Sequence, residues 1–139
     1  MMTERQNRPP QTCVVYVCTS CRAAGTPRQP KQDRPGFKLY ERLSSALGEH
    51  EIDDRVELQP ARCLSLCPRP CAVAITSRWG WTYLFAEQDP RNSVDDIICC
   101  LELYMKSDSG EMQRADRPAS MRGSVVGRIP ALGETYDIE

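Results

Sequence analysis

Cysteine is the residue type in this chain whose number and spacing could do chemistry. The 139 residues include eight cysteines and a single histidine. Four thiols fall in two short pairs, Cys18-Thr-Ser-Cys21 and Cys63-Leu-Ser-Leu-Cys67, and Cys71 follows four residues beyond the second pair. Each pair can bend round a metal from its own loop, and a fold that joins the two loops makes a four-thiolate centre. Soft thiolates select Zn(II), Cu(I) or iron–sulfur clusters. Structural zinc favours the tight Cys-x2-Cys turn at both ends, although its spacing varies. A [2Fe–2S] rhomb takes two thiolates on each iron and accepts wider, loop-borne spacings. Leu64 and Leu66, inside the second pair, would exclude water and tune a redox centre.

Other uses of these residues are weaker. Cys18 and Cys21 could form a thiol–disulfide redox pair, but such pairs sit at a helix start, where the thiol pKa is lowered. Here Cys21 runs into Arg22-Ala-Ala-Gly25 and a proline-rich loop. Cys13 opens an apolar run and Cys99-Cys100 lies in an apolar helix, so most of these are expected to pack as small hydrophobes. Cys71 stays open between an alternate ligand, a thiol used in metal handover, and the inward residue of a strand. His50, in Glu49-His50-Glu51, reads as an exposed histidine after a helix. No phosphate-binding glycine loop is present, one histidine leaves no Ser–His–Asp arrangement to defend, and adjacent Asp95 and Asp96 point apart on a helix. No catalytic residues and no enzymatic activity are expected.

The elements that must position the thiols follow from periodicity. Residues 1–12 read as a disordered leader, 13–106 as the metal- or cluster-binding domain and 107–139 as a polar extension. Cys13 to Cys18 is a β-branched apolar run, hence a buried strand. Residues 22–35 are an open loop. Phe37, Tyr40, Leu43 and Leu47 recur at helical spacing up to Gly48. Arg55 to Gln59 alternates as a half-wet strand closed by Pro60. After the cysteine loop of 61–71, stiffened by Pro68 and Pro70, two more strands are expected, Cys71–Thr76 and Trp79–Phe85. Trp79 and Trp81 would share one face of the latter, a candidate partner patch. Asn92 or Ser93 caps a second helix, with Asp95 and Asp96 in its first turn and a buried stripe of Val94, Ile97, Ile98, Leu101 and Met105. This order is an α/β unit, in two layers or with helices on one side of a sheet. If the first crossover makes the first two strands parallel neighbours, the loops bearing Cys18, Cys21, Cys63 and Cys67 leave the sheet at the same end.

Composition narrows the class. The net charge is -1, and no stretch of eighteen apolar residues exists to span a membrane. The start of the chain lacks the apolar core of a signal peptide. A reducing cytoplasm is therefore expected, where clustered cysteines mean metal or redox chemistry. Residues 1–42 carry eight Lys/Arg against three acids, an electropositive zone beside Cys18 and Cys21 that would stabilise thiolates or an anionic cluster. The basic residues are not interleaved with aromatics, so nucleic-acid binding is not expected.

Val15-Tyr-Val-Cys18-Thr-Ser-Cys21-Arg22, Cys63-Leu64-x-x-Cys67-x-Arg69-Pro70-Cys71-Ala-Val-Ala, Trp81-Thr-Tyr-Leu-Phe85, Arg117-Pro118 and Arg128-Ile-Pro130 resemble the DUF1636 family over roughly residues 13–130. The resemblance implies a metal-binding or thioredoxin-like [2Fe–2S] protein, associated with cobalamin and metal homeostasis. More distantly, the chain is similar to thioredoxin-fold ferredoxins, which hold a cluster between the loop after the first strand and a later Cys-x3-Cys. That similarity implies a small mixed sheet with flanking helices and the cysteine loops at one end. It assigns Cys63 and Cys67 to the later pair and Cys18 to the first ligand. The remaining position stays open between Cys21 and Cys71. It also implies homodimerisation. The expected function is one-electron transfer or redox sensing through a [2Fe–2S] cluster, with a redox protein or metal acceptor as partner. The alternatives are a zinc-binding or metal-trafficking protein and, third, a metal-free thioredoxin-like reductase.

Overall fold

The computed structural model describes residues 12–20, 30–64 and 71–132. Among the described residues, five strands and two α-helices follow in the order β1 (Cys13–Cys18), α1 (Pro35–Gly48), β2 (Val56–Ala61), β3 (Val73–Thr76), β4 (Thr82–Phe85), α2 (Val94–Lys106) and β5 (Val125–Ile129). They make one sheet in the order β2-β1-β3-β4-β5. β1 and β2 run parallel, Cys13 opposite Val56 through to Cys18 opposite Ala61, and the other pairings are antiparallel. The fold is a small mixed sheet flanked by helices, as in thioredoxin-like proteins.

β1 is a strand because stiff β-branched valines favour the extended backbone. Period-two alternation puts Cys13, Val15 and Val17 on one face, all buried, and leaves Val14 and Tyr16 half-buried on the other. Pro35 stands in the first turn of α1, where its missing N–H costs nothing. Leu39, Leu43 and Leu47, four residues apart, seal α1 onto the sheet. α2 contributes Ile97, Ile98, Leu101 and Met105, together with Cys100 and Tyr104, and the two helices pack on each other. Leucines and isoleucines buried this fully contribute roughly 1.5–3 kcal/mol each relative to exposure. Pro60 is tolerated in β2 because that strand is a sheet edge.

The expected elements are present, with shifted ends. β3 starts at Val73 and β4 at Thr82, because residues 77–81 form the hairpin loop between them. Ser77 Oγ accepts the Gly80 N–H at 2.9 Å, and the Tyr104 hydroxyl donates to the Trp81 carbonyl. Gly110 is required at its position. Its φ is +80°, and a Cβ there would lie 2.8 Å from Tyr104 Cε2 and 2.9 Å from the Trp81 nitrogen.

Two features depart from the sequence reading. Val125–Ile129, within the stretch expected as a polar extension, is a fifth strand on β4. The tryptophans do not make a shared patch. Trp79 donates its Nε1–H to the Thr12 carbonyl at 2.9 Å and packs on Tyr104, with ring centroids 5.2 Å apart. Trp81 is buried, with the Arg128 guanidinium 4.4 Å from its ring centre. Alternation failed here because β4 begins after both residues. Among the described residues, no helix is long and apolar enough to cross a membrane.

Candidate metal centre

The parallel pairing of β1 and β2 decides where the thiols go. Cys18 ends β1 opposite Ala61, the last residue of β2. Its N–H donates to the Ala72 carbonyl at 3.0 Å. Thr19 then donates twice to the Ala61 carbonyl, from its N–H at 2.9 Å and its hydroxyl at 3.1 Å. The chain therefore leaves β1 pinned between the exit of β2 and the entry of β3. Cys63 follows β2 by two residues and is exposed. Cys71 precedes β3 by two residues and is buried. Three cysteines thus stand at one end of the sheet on three adjacent chain segments.

Cys71 is held from behind. Its N–H donates to the Gln88 carbonyl at 3.2 Å, and the Gln88 N–H returns to the Cys71 carbonyl at 3.1 Å. Burial pushes its thiol up to about 12, and the charges of Cys18 and Asp89 add to the shift. Cys71 is thus within electrostatic reach of Cys18. The Gln88 side chain is itself buried. Its amide donates to the Ala86 carbonyl and to Ser124 Oγ, both at 3.0 Å, while its Oε1 has no partner among the described residues. Ser124 Oγ passes the chain on to the Ser120 carbonyl at 2.8 Å. Gln88 therefore ties the segment behind Cys71 to residues 120–124, a link that nothing in the sequence signalled.

Cys21 and Cys67 lie outside the described residues. Among the described residues, no three His, Cys, Asp or Glu side chains are grouped closely enough to hold a metal. What the structure brings to one end is Cys18, Cys63 and Cys71. The donor chemistry suits a soft metal or an iron–sulfur cluster, and the strand exits suit a site shared between two loops.

The remaining cysteines are packed or peripheral. Burial pushes Cys13 and Cys100 each up to about 12, partly offset by Arg55 at Cys13 and by Arg117 at Cys100. The Cys100 thiol lies 3.4 Å from the Met112 sulfur. Cys99 is exposed on α2. His50 sits at the other end of β2, its Nε2 3.1 Å from Glu102 Oε1 and half-exposed. Arg117 is a buried residue that motif reading left without a role. It donates to the Met121 carbonyl at 3.1 Å, and its guanidinium lies 6.0 Å from the centre of the Tyr83 ring. It anchors the segment that leads into β5.

A family model described as "Protein of unknown function (DUF1636)" matches residues 15–131. Solved structures with a similar fold include a thioredoxin-like [2Fe–2S] ferredoxin from Aquifex aeolicus, with 16% identity and a TM-score of 0.58 over 90% of this chain and 99% of that one. The wild-type protein in a second structure gives 16% identity and 0.57 over 84% and 98%. A cysteine-to-serine variant of it gives 16% identity and 0.56 over 83% and 98%. At such identity the likeness is one of fold. No curated protein matches the chain.

Proposed function

The chain belongs to the DUF1636 family, and from that premise we propose that it is a thioredoxin-like [2Fe–2S] protein that transfers single electrons or reports redox state. Cys18, Cys21, Cys63 and Cys67 would hold the cluster. The observation that carries this reading is the parallel, in-register β1–β2 pair, which delivers Cys18 and Cys63 to the same end of the sheet. The fold likeness to ferredoxins supports it. Two of the similar structures are variants at cysteines four positions apart, the separation of Cys63 and Cys67.

A bound [2Fe–2S] cluster supplies a one-electron couple, and the protein sets its potential through ligands, hydrogen bonds and burial. In this chain, Thr19 fixes the backbone beside Cys18 through two bonds to the Ala61 carbonyl. Leu64 packs partly buried against the core next to the exposed Cys63. Cys71, buried and within electrostatic reach of Cys18, would stand as a fifth thiol in reserve.

That fifth thiol favours a second reading, a zinc or other soft-metal protein that hands its ion on by ligand exchange, in metal or cobalamin metabolism. Iron, zinc and acid-labile sulfide, measured with a visible spectrum on protein purified without oxygen, separate the two. Two irons and two sulfides per chain, with absorbance that bleaches on dithionite reduction, are expected. One zinc and no sulfide would establish the metal-trafficking reading instead.

A further inference from the structure

A second candidate site lies next to the cysteine end, with no cysteine among its described lining residues. A cleft of about 560 Å³ is lined by Thr19, Ser20, Lys31, Arg34, Pro60, Ala61 and Arg62. We propose that this cleft binds a small polyanion, a molecule carrying a diphosphate or two phosphate groups.

Among the described residues, three cations line it from two chain segments. Lys31 stands on the 3-10 turn before α1, Arg34 is the residue that caps α1, and Arg62 leaves β2. No carboxylate is among the described residues that line it. Asp33, on the same turn as Lys31, is exposed and is not among the lining residues. The field of cations gathered along a cleft raises the local concentration of anions.

The neighbouring helix start adds to that field. α1 begins without a side-chain cap and without an acid in its first turn. α2 differs, with Asp95 and Asp96 in its first turn. The positive end of the α2 dipole has acids in its own first turn, and that of α1 does not.

The geometry also limits the ligand. The volume falls within the range of small-molecule sites, about 300–1,000 Å³. A polar, cationic lining selects charge rather than apolar surface. The planar fork of arginine matches phosphate oxygens in pairs, and lysine adds a point charge. Charges from two chain segments suit an anion that spreads its charge over two groups.

The test is a titration of the protein as purified, its metal content recorded, with inorganic pyrophosphate, followed by backbone amide NMR and calorimetry. Sodium chloride at matched ionic strength and citrate are run in parallel. Saturable binding is expected, with shifts concentrated at residues 19–20, 31–34 and 60–62. Arg62→Gln and Lys31→Gln, both at exposed positions, should each weaken it by roughly ten-fold. Arg114→Gln, an exposed cation on another turn, should leave it unchanged. Non-saturable shifts, or equal weakening by Arg114→Gln, would overturn the site. Citrate binding tighter than pyrophosphate would overturn the assignment to phosphate. The cluster reading stands or falls separately, on iron and sulfide content.

Discussion

At the amino end of the β1–β2 pair, Cys13 faces Val56 and its thiol is sealed in the core at 3% exposure. At the carboxyl end, Cys18 faces Ala61 and is as thoroughly covered, at 2%. The surroundings differ. Near the amino end, a cavity of about 220 Å³ is lined by His50 and by charges of both signs, Arg55 and Lys106 with Glu51 and Glu102. Beside Cys18 stand Cys71, the exit to Cys63, and a cleft whose charges among the described residues are all positive. The same residue on the same strand is a packing group at one end and a candidate ligand at the other. What separates them is whether neighbouring segments bring further thiols, and burial alone does not decide it.

The largest expected effect tests that separation directly. Cys18→Ser and Cys63→Ser should each lower bound iron and sulfide on the order of ten-fold or more, since even partners outside the ligand sphere cost ten- to hundred-fold. Cys13→Ser should leave the metal content unchanged while lowering the urea midpoint, because a hydroxyl replaces a thiol in a closed apolar site. Metal analysis beside far-ultraviolet circular dichroism reads both. Loss of metal from Cys13→Ser with the fold intact would erase the distinction between the two ends.

A smaller effect sharpens it at the amino end. Burial raises the Cys13 pKa from 9.0 to about 12 in the folded protein. A pKa raised on folding gives stability that is complete below pH 9 and is lost as the pH climbs towards 12, because the unfolded chain ionises first. Cys13→Ala removes that titration. Plotted against pH from 8.5 to 11, its unfolding free energy should fall less steeply than that of the parent, by up to about one proton. Equal slopes would mean that the Cys13 thiol is already ionised, or is solvated, in the native state.

How much of this was readable beforehand depended on where each residue sits in the sheet. β1, α1 and α2 announced themselves because one buried face imposes a period on the sequence, as with Leu39, Leu43 and Leu47. The convergence of Cys18 and Cys63 was also legible, since a strand–helix–strand crossover makes neighbouring parallel strands with exits at one end. β5 was not. It is an edge strand with Val126 and Ile129 exposed and Gly127 between them, so no buried face marks its period. The contacts of Gln88 with Cys71 and of Arg117 with Met121 and Tyr83 join segments that sequence spacing does not relate. The basic cleft was visible only as an excess of Lys and Arg in residues 1–42. Arg62, its third cation, comes from another strand and meets Lys31 only through the fold.

The smallest expected effect concerns the His50–Glu102 pair. Both side chains are about one-third exposed, 33% and 37%, at a separation of 3.1 Å. Water screens such a pair, and holding two side chains in one geometry costs entropy, so it should contribute less than about 1 kcal/mol. Glu102→Gln should therefore shift the urea midpoint little and leave metal content and pyrophosphate binding as they were. The amino end is held by apolar packing of Cys13, Ile52, Val56 and Met105, and the His50–Glu102 contact only covers it. A loss of more than about 2 kcal/mol in Glu102→Gln would show the reverse. In that case both ends of the strand pair would be organised by charge, and the contrast between a sealed end and a ligand-binding end would fail.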